Sequence, residues 1–302
     1  MRKISFFMAV VLLLGCVLAS CGSGRSYTPF EVDPDYEPTV DPDANVTIQD
    51  FDGEMLTLST DIDSVVCFCP EAARAIAGIG AAKLVTAVDE PTSKAISALN
   101  VIAESDIDTV NDLDADLIFI SRSYDVENLL TGDIPYIAVP ERLTVQDIIT
   151  LTRIVEKVLK SDRDSLADAI ENQMNAATTA TAGYASKYPV FIDLGSLQTV
   201  GSGTYISEIL NICGCESIFA DKDGFFEVTA QDVIDADPAF IFTVSDPKSV
   251  VKTYSFRTLS AVKNNMIYQI DPAPYSFADY RIADAINEIF TIINEYKLSQ
   301  GD

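Results

Sequence analysis

Short runs of β-branched and aromatic residues recur along this chain, at 65–69, 83–88, 117–121 and 135–139, then again at 189–194, 239–244 and 266–270, with helical or loop segments between them. Strands this uniformly apolar need cover on both faces, and intervening helices supply it. The alternation therefore restricts the chain to α/β folds built on central sheets. Helices are expected at 204–213, 229–236 and 277–297. A hairpin, "VTIQDFDGEMLTL" at 46–58, precedes the first strand and carries Asp52-Gly53 at its turn. Between the two groups of strands a polar–apolar helical region runs from Thr144 to about Lys187. Thr144 with Asp147, and Ser161 with Asp164, have capping-box spacing, which predicts two consecutive helices broken near Lys160-Ser161.

An internal echo points to a duplicated plan. "VNDLDADLIFIS" (110–121) and "AQDVIDADPAFIFTV" (230–244) each combine a short helix, an Ala-Asp step and a β-branched strand. Convergence of two ordinary αβ joints is the alternative. The expected organisation is an N-terminal lobe at 46–143, linking helices at 144–187 and a C-terminal lobe at 188–302.

The N-terminus sets the compartment. Arg2 and Lys3 precede an apolar run from Ile4 to Val17, and Leu18-Ala19-Ser20 leads into Cys21. This is a basic n-region, an apolar h-region and a small-residue cleavage site, too short to span a membrane comfortably. Leu-Ala-Ser-Cys also resembles a bacterial lipobox, which makes 1–20 a signal peptide and Cys21 the lipidated first residue. The expected location is the cell envelope, with lipid at Cys21 as the only membrane contact. Residues 21–45 are rich in Ser, Pro, Asp and Glu and read as a flexible acidic tether.

The whole chain has a net charge of -26, and removing residues 1–20 takes two basic side chains and no acidic one. Such a surface repels nucleic acid and anionic head groups and favours a soluble monomer. Histidine is absent altogether. That excludes Ser-His-Asp and Cys-His catalysis, HExxH zinc sites and histidine-ligated haem, and no other acid–base pair stands out, so no enzyme and no resident cofactor are expected. Cys67 with Cys69 and Cys213 with Cys215 form two C-x-C pairs. A four-thiolate metal site is conceivable, but structural zinc uses C-x-x-C spacing, and buried or disulfide-linked cysteines are the expectation. "GSGT" at 201–204 lacks the G-K-[ST] ending of a phosphate loop.

Taken in order, "VVCFCPEAARAIAGIGAAKLVTAV", "DLDADLIFIS", "PYIAVPERLTVQDI", "TVGSGTYISEILNICGCESIFAD", "VTAQDVIDADPAFIF" and "FRTLSAVKNNMIYQID" resemble segments of the helix-linked periplasmic binding proteins that deliver cobalamin, ferric siderophores and haem to ABC importers. The resemblance covers about 46–298. It implies two Rossmann-like α/β lobes joined by a long helix, a ligand cleft between them, a metal chelate as ligand and an ABC permease as partner.

Loops after strands then become cleft candidates. In the first lobe these are Cys69, Glu71, Asp89, Glu90, Arg122 to Tyr124, Glu141 and Arg142; in the second, Ser196, Leu197, Tyr205, Phe225, Phe226, Ser245 and Tyr275 to Phe277. Arg122 and Arg142, with Arg281, would favour an anionic chelate, whereas Tyr205, Phe225, Phe226 and Tyr275 would suit the apolar walls a corrinoid needs. Tyrosine-ligated haem is a third ligand class. Importer-bound relatives dock through one exposed glutamate in each lobe. Matching "PEAARAIAGIG" and "VTAQDVI" to that pattern puts Arg74 and Gln231 at the two positions, which leaves two alternatives: the contacts have shifted to the neighbouring carboxylates Glu71 and Asp232, or the chain is a ligand-scavenging or sensing lipoprotein that does not dock on a standard permease.

Overall fold

The computed structural model describes residues 45–58, 62–98, 100–161 and 163–300. The expected signal peptide at 1–20, Cys21 and the expected tether up to 44 lie outside the described residues. The hairpin forms at the expected place, with β1 (Val46–Gln49) antiparallel to β2 (Met55–Leu58) and Gly53 at φ +85° in the turn.

The first lobe contains β3 (Val65–Phe68), α1 (Pro70–Gly78), β4 (Val85–Asp89), α2 (Glu90–Ser93), β5 (Asn100–Ile102), β6 (Leu117–Ser121), α3 (Val126–Leu129) and β7 (Tyr136–Val139). Its five strands form an all-parallel sheet in the order β5-β4-β3-β6-β7. Two helices follow, α4 (Val145–Val158) and α5 (Leu166–Thr181). The second lobe runs through β8 (Tyr188–Asp193), β9 (Gln198–Val200), α6 (Tyr205–Ile212), β10 (Cys215–Ser217), β11 (Phe225–Glu227), α7 (Ala230–Ala236), β12 (Phe240–Thr243), α8 (Pro247–Thr253), α9 (Ser260–Lys263), β13 (Ile267–Gln269), α10 (Ala273–Ser276) and α11 (Ile282–Ser299). Its main sheet, β10-β8-β12-β13, is again all parallel, and β9 and β11 form a separate antiparallel pair.

The two sheets share one winding. In each main sheet the second strand flanks the first and the last two strands extend the other edge, so β4-β3-β6-β7 matches β10-β8-β12-β13, with β5 added beyond β4 in the first lobe. The echo in the sequence falls on β6 and β12, which occupy equivalent places.

The link between lobes differs in detail from one long helix. The Thr144 capping box forms, but α5 starts at Ser165, whose side chain accepts from Asp168 N, and not at Ser161. The reason lies across the turn. Glu156 of α4 accepts Leu166 N at 2.5 Å, Ala167 N at 3.3 Å and Ser165 Oγ at 2.8 Å, so its carboxylate satisfies the first free N–H groups of α5.

One apolar cluster runs through both lobes. It joins Val65, Cys67 and Ile76 of the first, Ile148, Val155 and Ile170 of the linking helices, and Ile192, Phe240 and Ile289 of the second. The lobes are therefore packed on a common core, and separating them would expose it.

Cys67, Cys69, Cys213 and Cys215 are free, buried thiols, with one pair on each side of this core. Burial pushes the Cys213 thiol up to about 12 and raises the other three as well. In protein lacking residues 1–21, none of the four should react with an aromatic disulfide reagent near pH 8, and all four should react in guanidinium, as absorbance of the released thiolate would report.

Candidate functional site

Both lobes direct loops toward the carboxyl ends of their strands, where a cavity of about 480 Å³ opens between them. The first lobe contributes Glu71, Glu141, Arg142 and Leu143; the second contributes Gly203, Thr204, Tyr205, Gly224, Phe225 and the stretch from Tyr275 to Ala278.

Each wall has a local cause. β3 ends at Phe68, Cys69 is the N-cap of α1, and Pro70 takes the first helical position, which places Glu71 in the first turn at the carboxyl end of the central strand. Thr204 and Ser207 form a capping box at α6, so Tyr205 begins the helix at the cavity with its ring buried. On β11 the side chains alternate: Phe225 stands 58% exposed at the cavity, while Phe226 turns back and packs edge-to-face on Phe219 at 6.0 Å.

The electrostatics of the floor are set by burial. Glu71 is held above the ordinary glutamate range first by desolvation, with the Asp279 and Asp89 carboxylates adding to the rise. Among the described residues it has no ion-pair partner; the Cys69 thiol donates to it at 3.6 Å, and its own backbone N–H also hydrogen-bonds the carboxylate. The Tyr205 phenol is raised by burial and then by Asp279 and Glu71. Tyr275 is raised by burial and then by Glu288, and its buried hydroxyl has no hydrogen-bond partner among the described residues.

Behind the cavity lies a charged cluster spanning both lobes. Asp279 is fully buried; Arg281 donates to it from Nε at 2.9 Å and from Nη2 at 2.5 Å, and Arg74 of α1 donates from Nε at 3.3 Å. Arg74 also donates to Ala95 O at 3.2 Å and lies 5.9 Å from the centre of the Phe277 ring. Two more contacts cross the gap: Arg142 to Asp223 at 2.8 Å, and Glu208 accepting from Val145 N at 2.8 Å.

Of the residues singled out in the sequence, the cavity brings together Glu71, Glu141, Arg142, Tyr205, Phe225, Tyr275, Ser276 and Phe277. Others stand elsewhere. Asp89 is buried as the cap of α2 and accepts the Tyr124 hydroxyl at 2.5 Å. Arg122 pairs with Asp52 at 2.7 Å, and with Tyr124 it lines a separate cavity beside the hairpin. Ser196 is exposed in a tight turn at φ +55°, and Leu197 follows at φ +64° with its side chain buried. Gln231 and Asp232 are exposed on α7, where Asp232 belongs to the Thr229 capping box. Asp279 and Asp223 went unnoticed in the sequence. Asp279 falls in a stretch read as helix from 277, whereas α11 begins at Ile282.

Comparison with known proteins agrees with this architecture. At 21% identity over 96% of each chain, the sequence matches an uncharacterized ABC transporter substrate-binding lipoprotein of Bacillus subtilis, YvrC. The vitamin B12-binding protein BtuF of Vibrio cholerae has the same fold, with a TM-score of 0.60 and 19% identity over 80% of this chain and 99% of that one. Nickel-bound CeuE of Helicobacter pylori aligns with a TM-score of 0.63 and 14% identity over 85% of this chain and 91% of that one. A family model for periplasmic binding proteins covers residues 57–274, over the two main sheets and the cavity residues from Glu71 to Phe225. This chain therefore belongs to the periplasmic binding protein family, as a binding protein and not an enzyme.

Proposed function

We propose that this chain is a lipid-anchored solute-binding protein that captures a metal chelate, a ferric siderophore or a corrinoid, for an ABC importer. The observation that carries the reading is the cavity itself, whose size suits a small molecule and whose walls present Tyr205, Phe225, Tyr275 and Phe277. Flat aromatic surfaces gain from stacking on a macrocycle or chelate ring. Relatives with this fold include a vitamin B12-binding protein and a nickel-bound one, and the name of the B. subtilis relative supports both the anchor at Cys21 and the importer.

A thermal-shift screen against ferric siderophores, cobalamin, cobinamide and haem tests this reading. Ligand at a hundredfold excess over Kd adds about 2.7 kcal/mol by linkage, which raises the melting temperature by roughly 5–10 °C for a chain of this size. Failure of every chelate would remove the proposal.

A second reading is a scavenging or sensing lipoprotein that does not dock on a permease. It is favoured by Arg74, which is tied to Asp279, and by Glu71, which lines the cavity and is not free on the outer surface. That leaves Asp232 as the anionic docking candidate. Binding of the protein to the permease encoded beside it, lost in Asp232→Ala, would favour import; no wild-type binding at low salt would favour the scavenger.

A further inference from the structure

The cleft holds an acid without a counter-ion, whereas its arginines already face acids. Each arginine in or near the cleft has a carboxylate of the protein: Arg142 has Asp223 at 2.8 Å, Arg122, beside the separate cavity at the hairpin, has Asp52 at 2.7 Å, and Arg74 and Arg281 share Asp279. Glu71 is in the opposite position. It lines the cavity among aromatic rings, is partly buried, and finds no cation among the described residues.

Such a carboxylate is costly to keep charged, and burial together with the nearby Asp279 and Asp89 carboxylates raises its pKa. A cationic or proton-donating group on a ligand would relieve that cost with a charge-assisted hydrogen bond. An anionic ligand would aggravate it. Two further features act in the same direction. Glu141 adds a carboxylate at the exposed rim that makes no salt bridge among the described residues, and aromatic faces attract cations.

Resting on the binding reading above, we infer that Glu71 is the charge-selecting residue of the cleft, and that the ligand presents a positively charged or hydrogen-bond-donating group to it. Neutral and cationic chelates are accepted and polyanionic ones rejected. This reverses the expectation from the sequence, where Arg122 and Arg142 favoured an anion. It also separates Glu71 from permease docking and gives it to the ligand.

The test compares chelates of similar size and different charge by intrinsic fluorescence quenching and calorimetry on the protein without its lipid anchor. The probes are ferrioxamine B, a monocation; its N-acetyl derivative, which is neutral; cationic aquacobinamide; neutral cyanocobalamin; and a trianionic ferric tris-catecholate. At least one cationic or neutral probe should bind, and the tris-catecholate should bind at least tenfold more weakly than the best of them. Glu71→Gln should weaken the best probe at least tenfold with an unchanged melting temperature, while Glu71→Asp keeps the charge preference. Tightest binding of the tris-catecholate, or a Glu71→Gln affinity equal to wild type, would overturn the inference and leave the chelate-binding function standing. Binding of none of the five would remove the chelate reading and the inference with it.

Discussion

Replacing Gly201 with alanine should lower the melting temperature by roughly 6–12 °C and weaken ligand binding at the same time, a loss of about 3 kcal/mol at the upper end of overpacking effects. A Cβ at this position would lie 1.9 Å from Lys222 O, 2.6 Å from Lys222 C and 2.9 Å from Phe219 O. All three neighbours are backbone, so no rotamer change can make room. The strands also cannot part without loss, because Gly201 N donates to Gly224 O at 2.9 Å and Ser202 N to Lys222 O at 2.7 Å. The displaced segment carries Asp223, the partner of Arg142, and leads into Phe225 at the cavity. Gly183→Ala is the control: nothing lies within 4 Å of its Cβ position, and stability should stay within about 0.5 kcal/mol. Equal melting temperatures for the two variants would refute the close-approach account of the GSGT stretch.

Asp279→Ala should cost about 2–4 kcal/mol, somewhat less than the roughly 3–5 kcal/mol of a wholly buried pair, because its partners keep some contact with water. The side chains of Arg74 and Arg281 remain 25% and 17% exposed around a fully buried carboxylate. Removing that carboxylate leaves two guanidinium groups facing each other across the lobe boundary. Asp223→Ala breaks the other ion pair across the cleft, but both partners are largely exposed, and a change of at most about 1 kcal/mol is expected. Denaturant unfolding of the two variants measures the contrast directly. Comparable losses would mean that burial does not decide the strength of these pairs.

Much of the scaffold is readable from residues alone. Val65–Phe68, Leu117–Ser121 and Phe240–Thr243 are near-continuous apolar runs because central parallel strands are covered on both faces, and each forms a strand where the pattern puts it. Except for β13, the strands of three residues carry no such pattern. β5, β9, β10 and β11 are held by pairing partners far along the chain, and missing β11 is what sent both Phe225 and Phe226 to the cleft when alternation allows one. The start of α5 was hidden for a similar reason, since the Glu156 carboxylate that fixes it lies in the preceding helix. Within the site, position after a strand located Glu71, Tyr205 and Tyr275. It could not show which arginines are already engaged, because Asp52 meets Arg122, Asp223 meets Arg142 and Asp279 meets Arg74 only in three dimensions.

The apolar cluster that continues from one lobe through α4 and α5 into the other has a kinetic consequence. Hinge closure would have to tear this interior, so the cavity is formed before the ligand arrives and little conformational entropy is lost on capture. Encounter rates should then vary little among chelates of the same charge, with no closure step to slow any of them. Differences in affinity will reside in how long each chelate stays bound.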